Sequence, residues 1–406
     1  MAFDRDRPLD TSRPALLVDG GSCLDLGLVR SLGLAGVPVH LLGHNASSLA
    51  ARSRFVAGVH AFPPPTAPDD ARLGRLREIV AGFGRRPIVL PTGDTALAFL
   101  SRSRRHWDDL LDHDLASPEL IERCLSKDRF AQLAAERGLP VPTTFVPRDA
   151  AEARTLATDL AFPVFVKPAH HDVWARLPPR VVAHVRGQVV DNAADLVGLF
   201  ERLERHGAHR AVVQELVPGP DHAHVDVHAY LDSAGRVVGA FSGRKVRISP
   251  PHLGVGALVH SERVPAALEV AIGALRTLGY AGMANVNLKF DAGRGGFRLL
   301  EINCRYSTWT ELATRCGCNL PLAAYAAITG QRPPALSQRE GVAWLDFRRD
   351  WEAMAAYRRE REWTWGSYAR SLASVRHGAF FAWDDPVPFL CNILGLKGAP
   401  VKRGRA

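Results

Sequence analysis

Residues 14–43 pass from an all-apolar run through a glycine turn into a longer mixed stretch and out into a second apolar run. Pro14-Ala-Leu-Leu-Val-Asp reads as a buried strand, Gly20-Gly-Ser-Cys as a turn, 24–34 as a helix and Val37-Pro-Val-His-Leu-Leu-Gly43 as a second strand. This order predicts the opening of an α/β unit. Ile88-Val-Leu-Pro91 is a further buried strand, and it runs into the polar turn Thr92-Gly-Asp-Thr95 and a helix. Polar turns at the carboxyl ends of parallel strands are where α/β sheets place ligands.

The pattern changes near Ser117. Residues 118–125 and 128–137 have helical spacing, the second stretch closed by Gly138 ahead of Leu139-Pro-Val-Pro. Phe162-Pro-Val-Phe-Val-Lys-Pro168 is a predicted strand, followed by the loop Ala169-His-His-Asp-Val-Trp174 and a strand over 181–185. A helix over 192–206 leads to the strand Ala211-Val-Val-Gln-Glu-Leu-Val217, and 222–291 is mostly extended apart from a helix over 265–278. Asn287-Leu-Lys-Phe-Asp291, a glycine-rich turn and Phe297-Arg-Leu-Leu-Glu301-Ile-Asn303-Cys-Arg305 form a hairpin. Beyond Gly330 a helix-rich, arginine-heavy stretch runs to a basic end, and no internal repeat appears. The shifts predict three units, 1–116, 117–330 and 331–406.

Composition narrows the class without naming it. The chain has 406 residues, 47% hydrophobic and 23% charged, as expected of a globular protein with several cores. Neither a signal-peptide core nor an apolar run of membrane-spanning length is present, so a cytoplasmic protein without a membrane partner is expected. Six scattered cysteines follow no disulfide or zinc-finger spacing. The net charge is +9, but the arginines are mixed with acids and no aromatic residues interleave with a basic stripe, which argues against nucleic acid. Small anionic substrates explain the excess better. Lysine is rare, six against 45 arginines, and four of the six (Lys127, Lys167, Lys245 and Lys289) fall in the middle of the chain. A compact ammonium on a flexible stem suits phosphate.

In the hairpin, period-two alternation puts Glu301, Asn303 and Arg305 on one face. A carboxylate, an amide oxygen and a guanidinium side by side suit a magnesium ion bridging phosphate oxygens, with the arginine neutralising the remaining charge. A solvated hairpin face is the alternative.

Glu301-Ile-Asn303-Cys-Arg305 resembles the Glu-Ile-Asn-Pro-Arg strand of the ATP-grasp superfamily, carboxylate–amine ligase type. Lys127 in Ser-Lys-Asp-Arg and Lys167 in Pro-Val-Phe-Val-Lys-Pro sit where that family keeps two phosphate-binding lysines, and Gln214-Glu-Leu-Val-Pro-Gly219 is similar to its adenine hinge. The resemblance runs from about Pro14 to Gly330. It implies an α/β pre-grasp domain, then an ATP-grasp fold of two α+β subdomains clasping ATP, with a lid at about 165–215, and a helical C-terminal tail. It further implies that Lys127, Lys167, Gln214, the backbone of Glu215 and Leu216, and Asp221 bind ATP. By the same resemblance Glu301, Asn303 and Asn287 hold Mg2+, and Lys245, Arg247 and Arg305 neutralise the transferred phosphate. Trp309, Thr310 and Glu311 are candidates for an acceptor pocket, and loops 169–176 and 248–256 for closure over the reactants. The implied reaction joins a small-molecule carboxylate to an amine, such as an amino acid or peptide, through an acyl phosphate. Oligomeric state is left open, a homodimer included.

Two positions depart from the pattern. Asn287 stands where the family usually has an acid, so the metal set loses a charge, with Asp291 as a potential substitute four residues on. Cys304 replaces a proline and reads as a small buried residue. The departure at Asn287 motivates an alternative, a catalytically impaired nucleotide-binding protein. A second alternative is a zinc hydrolase on the alternating run His222, His224, Asp226, His228, supported by His170-His171. Same-face positions on one strand lie about 6–7 Å apart, so such a run needs ligands from elsewhere to close a tetrahedral shell. The glycine turn at 20 lacks the spacing of a dinucleotide fingerprint, which disfavours a dehydrogenase.

Overall fold

The computed structural model describes residues 8–19, 21–43 and 48–396. Three sheets organise them. The first is parallel, in the order Val56–Ala61, Val39–Gly43, Ala15–Asp19, Ile88–Leu90. Both of its faces are covered, so its central strands are apolar on both sides. Leu16, Val18 and Leu42 pack with Leu73, Leu76 and Phe99 on one face. Leu17, Val39 and Leu41 join a core on the other that extends to Leu312, Tyr325 and Trp344. The helix Cys23–Gly33 starts where the sequence sets a capping box, with Ser22 accepting from Leu24 and Asp25 accepting from the Ser22 N–H.

The second sheet is small and antiparallel, in the order Thr144–Phe145, Ala211–Glu215, Val164–Pro168, Gln188–Val190. Its apolar face packs on the helices Ala150–Leu156 and Ala193–Arg205 through Val164, Val166, Val213, Leu196 and Phe200. The unit therefore begins with the strand at Thr144, earlier than the expected lid boundary near 165.

The third sheet has seven strands, in the order Gly296–Asn303, Gly282–Asp291, His224–Leu231, Val237–Ser249, Val255–Ser261, Ala343–Leu345, Val375–Gly378. Val225, Val227, Ala229, Val286 and Leu288 bury one face against the helix Pro265–Thr277. Strand alternation then commits His224, Asp226, His228, Asn285, Asn287 and Lys289 to the opposite face. Of these, His224, Asn287 and Lys289 line the cleft below the small sheet, while His228 packs against Trp309. The stretch read as a helix-rich extension also supplies the two outer strands Ala343–Leu345 and Val375–Gly378, alongside the helices Phe347–Arg359, Trp365–Leu372 and Val387–Ile393. The basic terminus, with Lys397 and Lys402, lies outside the described residues. Among the described residues no helix is long and apolar enough to cross a membrane.

Candidate active site

A cleft of about 270 Å3 lies between the small sheet and the polar face of the seven-stranded one. One wall comes from the small sheet. Lys167, near the end of Val164–Pro168, is buried, and its ammonium donates to Gln214 Oε1 at 3.1 Å. Gln214 Nε2 in turn donates to Thr144 Oγ1 at 2.8 Å, which fixes the amide. Burial lowers the Lys167 pKa to about 8, against an upward pull from Glu301 and a further downward push from Lys127. Lys127 begins the helix Lys127–Glu136 and is tied to the same strand by its backbone N–H, 2.9 Å from Ala169 O. Leu216 and Val217 complete the wall. Glu215 is already engaged: its N–H donates to Thr143 O at 2.8 Å and its carboxylate holds Arg294 at 2.7 Å.

The opposite end is built on the hairpin. Glu301 is partly buried, which by itself would raise its pKa. Lys127 and Lys167, then the Asn303 amide and Arg305, reverse that and hold it at about 2. Asn303 Nδ2 donates to Glu301 Oε1 at 2.7 Å, and Asn303 Oδ1 accepts from Arg305 at 3.2 Å. Arg305 also grips Asp94 of the Thr92-Gly-Asp-Thr turn with two bonds of 2.6 and 3.0 Å. Asn287 lies opposite Glu301 on one side and Asp226 on the other, and its Nδ2 has no hydrogen-bond partner among the described residues. Lys245 stands 2.8 Å from Asp226 and lines the cleft with Lys289 and His224. Asp226, one strand away, is paired with Lys245 and does not line the cleft, so it does not make up the charge that Asn287 lacks. For a divalent cation the hairpin offers one carboxylate kept ionised and two amides. That set fits magnesium if most of its ligands are phosphate oxygens and water.

Five expectations are corrected by the packing. Arg247 is not in the cleft: it is fully buried on the other side of the sheet, bound to Asp350 at 2.7 and 2.9 Å and lying against Trp363 and Tyr368. A bulge explains this. Lys245 pairs with Val259 but Arg247 with Leu258, so two residues on one strand oppose one step on the other and the alternation inverts. Asp221 does not line the cleft; it accepts from Tyr357 Oη at 2.5 Å and from the His252 N–H at 3.0 Å, anchoring a loop whose His252 has φ +65°. Trp309, Thr310 and Glu311 are buried packing residues, Glu311 holding Arg30 at 3.1 Å, rather than a pocket wall. Asp291 cannot replace the missing acid because it closes the hairpin turn, accepting from the Gly293 N–H at 3.0 Å and Arg294 at 2.9 Å. The run 222–228 does not form a metal site: among the described residues the only three potential ligands within 4.8 Å of one another are the exposed His252, Glu360 and Glu362. Of the loops, 169–176 contains the short helix His171–Ala175 with Trp174 fully buried, while His252, Leu253 and Gly254 of 248–256 do face the cleft. Cys304, Cys316 and Cys318 are buried free thiols, with Cys318 pushed up to about 11 by burial.

Sequence reasoning passed over Asp94 as a partner of Arg305, Asp226 as the partner of Lys245, and Arg186, which lines the cleft from the position just after the predicted 181–185 strand. Only Asp94 carried a signal, its polar turn at a strand end. The other two are legible only once strand neighbours are known.

A cleft walled by a lysine-bearing antiparallel sheet above and a Glu-x-Asn hairpin below defines the ATP-grasp class. The chain has the fold of ATP-grasp proteins. Residues 208–346 match the family described as ATP-grasp in the biosynthetic pathway with Ter operon. The chain is 22% identical over 260 residues to D-aspartate ligase of Enterococcus faecium, a match that covers 62% of this chain and 61% of that protein. The chain therefore spans about three fifths of the length of that curated relative. Among solved structures, L-amino acid ligase from Bacillus licheniformis aligns with a TM-score of 0.60 and 16% identity, over 82% of this chain and 78% of the other. The ADP complex of N5-carboxyaminoimidazole ribonucleotide synthetase aligns with a TM-score of 0.63 and 13% identity, over 82% and 81%.

Proposed function

We propose that the protein is an ATP-dependent carboxylate–amine ligase acting on small molecules, one of them an amino acid or peptide. The observation that carries this reading is the convergence of Lys127, Lys167 and Arg305 on Glu301 in one cleft, with Lys245 on the same wall. Such a concentration of fixed cations around one carboxylate suits a polyphosphate with a divalent ion more than a neutral ligand. Relatives named as D-aspartate and L-amino acid ligases support the substrate class.

Lys127 and Lys167 bind the phosphates as point charges, and Gln214, fixed by Lys167 and Thr144, borders the base with Leu216. Glu301 with Asn303 and Asn287 would hold magnesium, which supplies neutralisation of phosphate charge. Lys245 and Arg305 face the charge that develops when the acid attacks the terminal phosphoryl group. ADP leaves in that step; the amine then attacks the acyl carbon and displaces inorganic phosphate, forming the amide. The protein's share is positioning and fixed charge. Residues 252–254 cover the cleft and keep water from the activated acid.

ADP release measured against a panel of amino acids paired with carboxylic acids tests the reading; release that requires both an acid and an amine is expected. Asn287 favours one second reading, a nucleotide-binding protein without ligation, and tight ADP binding with no turnover under any pairing would select it.

A further inference from the structure

A second cavity, of about 220 Å3, opens at the carboxyl end of the parallel sheet in the N-terminal domain. It shares Asp94 with the cleft. Most of its wall is apolar, including Val18, Leu42, Phe62 and Ala96. Its polar part is Ser22, Thr92, Asp94, Thr95 and Arg72, and of these Arg72, on the helix Asp69–Ala81, is the one cation and is 1% exposed.

Arg72 has no counter-ion among the described residues. The carboxylate three residues before it, Asp69, is taken by Arg102 in two bonds of 2.5 and 2.6 Å. Nε and Nη1 of Arg72 have no hydrogen-bond partner among the described residues. The ring of Phe99 lies 3.8 Å from the guanidinium carbon and that of Phe62 at 5.5 Å, which accommodates the cation's faces but not the donors in its plane. Buried cations are rarely left in this state unless something else completes them. A second donor set faces the same space. The helix Asp94–Arg102 has Gly93 at its N-cap with no side-chain cap, and a Cβ at Gly93 would meet nothing within 4 Å. Its first amides are therefore free for an anion.

The geometry points to a carboxylate subsite: Arg72 and the amino end of Asp94–Arg102 bind the carboxylate of a small acid whose apolar body fills the cavity. Carboxylate is favoured over phosphate because the space beside Arg72 is lined by Val18, Leu42, Phe62, Pro63, Pro65 and Ala96, which suit an apolar body, and because Asp94 at the same wall disfavours a multiply charged anion. Under the ligase reading, on which only this role depends, the bound group is the non-reacting carboxylate of a substrate, and Asp94 with Arg305 stands between it and the phosphate end. The substrate class is then a carboxylate-bearing compound with an apolar side chain, such as an aliphatic or aromatic amino acid.

Isothermal titration of the full chain with isovalerate, phenylacetate and L-leucine, against their methyl esters and inorganic phosphate, tests the subsite without turnover. At least one free acid is expected to bind at least tenfold more tightly than its ester. Arg72→Met and Gly93→Leu, the second filling the space without touching Arg72, are each expected to weaken that binding at least tenfold while ADP affinity stays within twofold. Equal binding of acids and esters, unchanged acid binding in Gly93→Leu, or phosphate binding more tightly than every acid would overturn the assignment. Acid binding without any ADP release would leave the subsite standing and remove the ligase reading.

Discussion

Lys167 is the residue whose chemistry is set most directly by burial. Its ammonium loses water and gains only the Gln214 amide, so its proton leaves near pH 8. Free lysine titrates near 10.4. Between these values the unfolded chain holds a proton that the folded protein does not, so this group makes stability rise with pH across that window. Nucleotide affinity should move the other way. A phosphate beside Lys167 restores the proton, and above about pH 8 ATP affinity is expected to fall by up to about tenfold per pH unit. Titration calorimetry between pH 7 and 9.5 checks this, and Lys167→Met should lose the break near pH 8. Lys167→Arg is a separate expectation. It keeps the charge but puts a planar fork where a buried point charge meets Gln214 Oε1, so kcat/KM for ATP should drop at least about tenfold. Near-wild-type turnover would show that charge alone suffices.

At the scale of the element, alternation along the sequence was a reliable guide where the ladder is regular and misleading where it is bulged. His224, Asp226 and His228 share one face as period-two spacing predicts, because Val225 and Val227 are needed under the helix Pro265–Thr277. Lys245 and Arg247 obey the same spacing in sequence, yet the bulge sends one into the cleft and the other to Asp350. Nothing in Arg-Lys-Val-Arg marks that inversion, since it depends on pairing with the strand Val255–Ser261. The placement has a measurable consequence. Arg247→Met leaves Asp350 as a buried, unpaired carboxylate and is expected to destabilise the protein by about 3–5 kcal/mol in urea unfolding. Arg247→Met combined with Asp350→Leu removes both charges and should recover most of that loss, with ATP affinity unchanged. If Arg247→Met instead weakened ATP binding at unchanged stability, the residue would belong to the site after all.

At the scale of the whole molecule, the contacts hardest to read from sequence are those that close the chain on itself. Motif order was enough to suggest the cleft, since Lys127, Lys167, Gln214 and Glu301 each carry a local context. The role of residues beyond 330 had no such context. There Asp385, fully buried, accepts from Arg30 at 3.0 Å and from Ser53 at 2.7 Å, while Arg30 reaches Glu311 at 3.1 Å on its other side. One guanidinium therefore ties the first helix, the segment after the Glu-x-Asn strand and the C-terminal region together. Ala343–Leu345 also covers Val255–Ser261, whose edge would otherwise be open. Removing residues 342–406 would strand Arg30 beside a half-empty partner set, expose Leu258 and Val259 on a free edge, and uncover the core around Trp344. Each loss is of the kind that costs several kcal/mol or promotes edge pairing, and a domain's whole stability is about 5–15 kcal/mol. The fragment 1–341 is accordingly expected to aggregate or to show no cooperative unfolding transition by differential scanning calorimetry. A soluble fragment that melts cooperatively and binds ADP as the full chain does would mean that the C-terminal region is an appendage and that the parallel sheet and the cleft hold together without it.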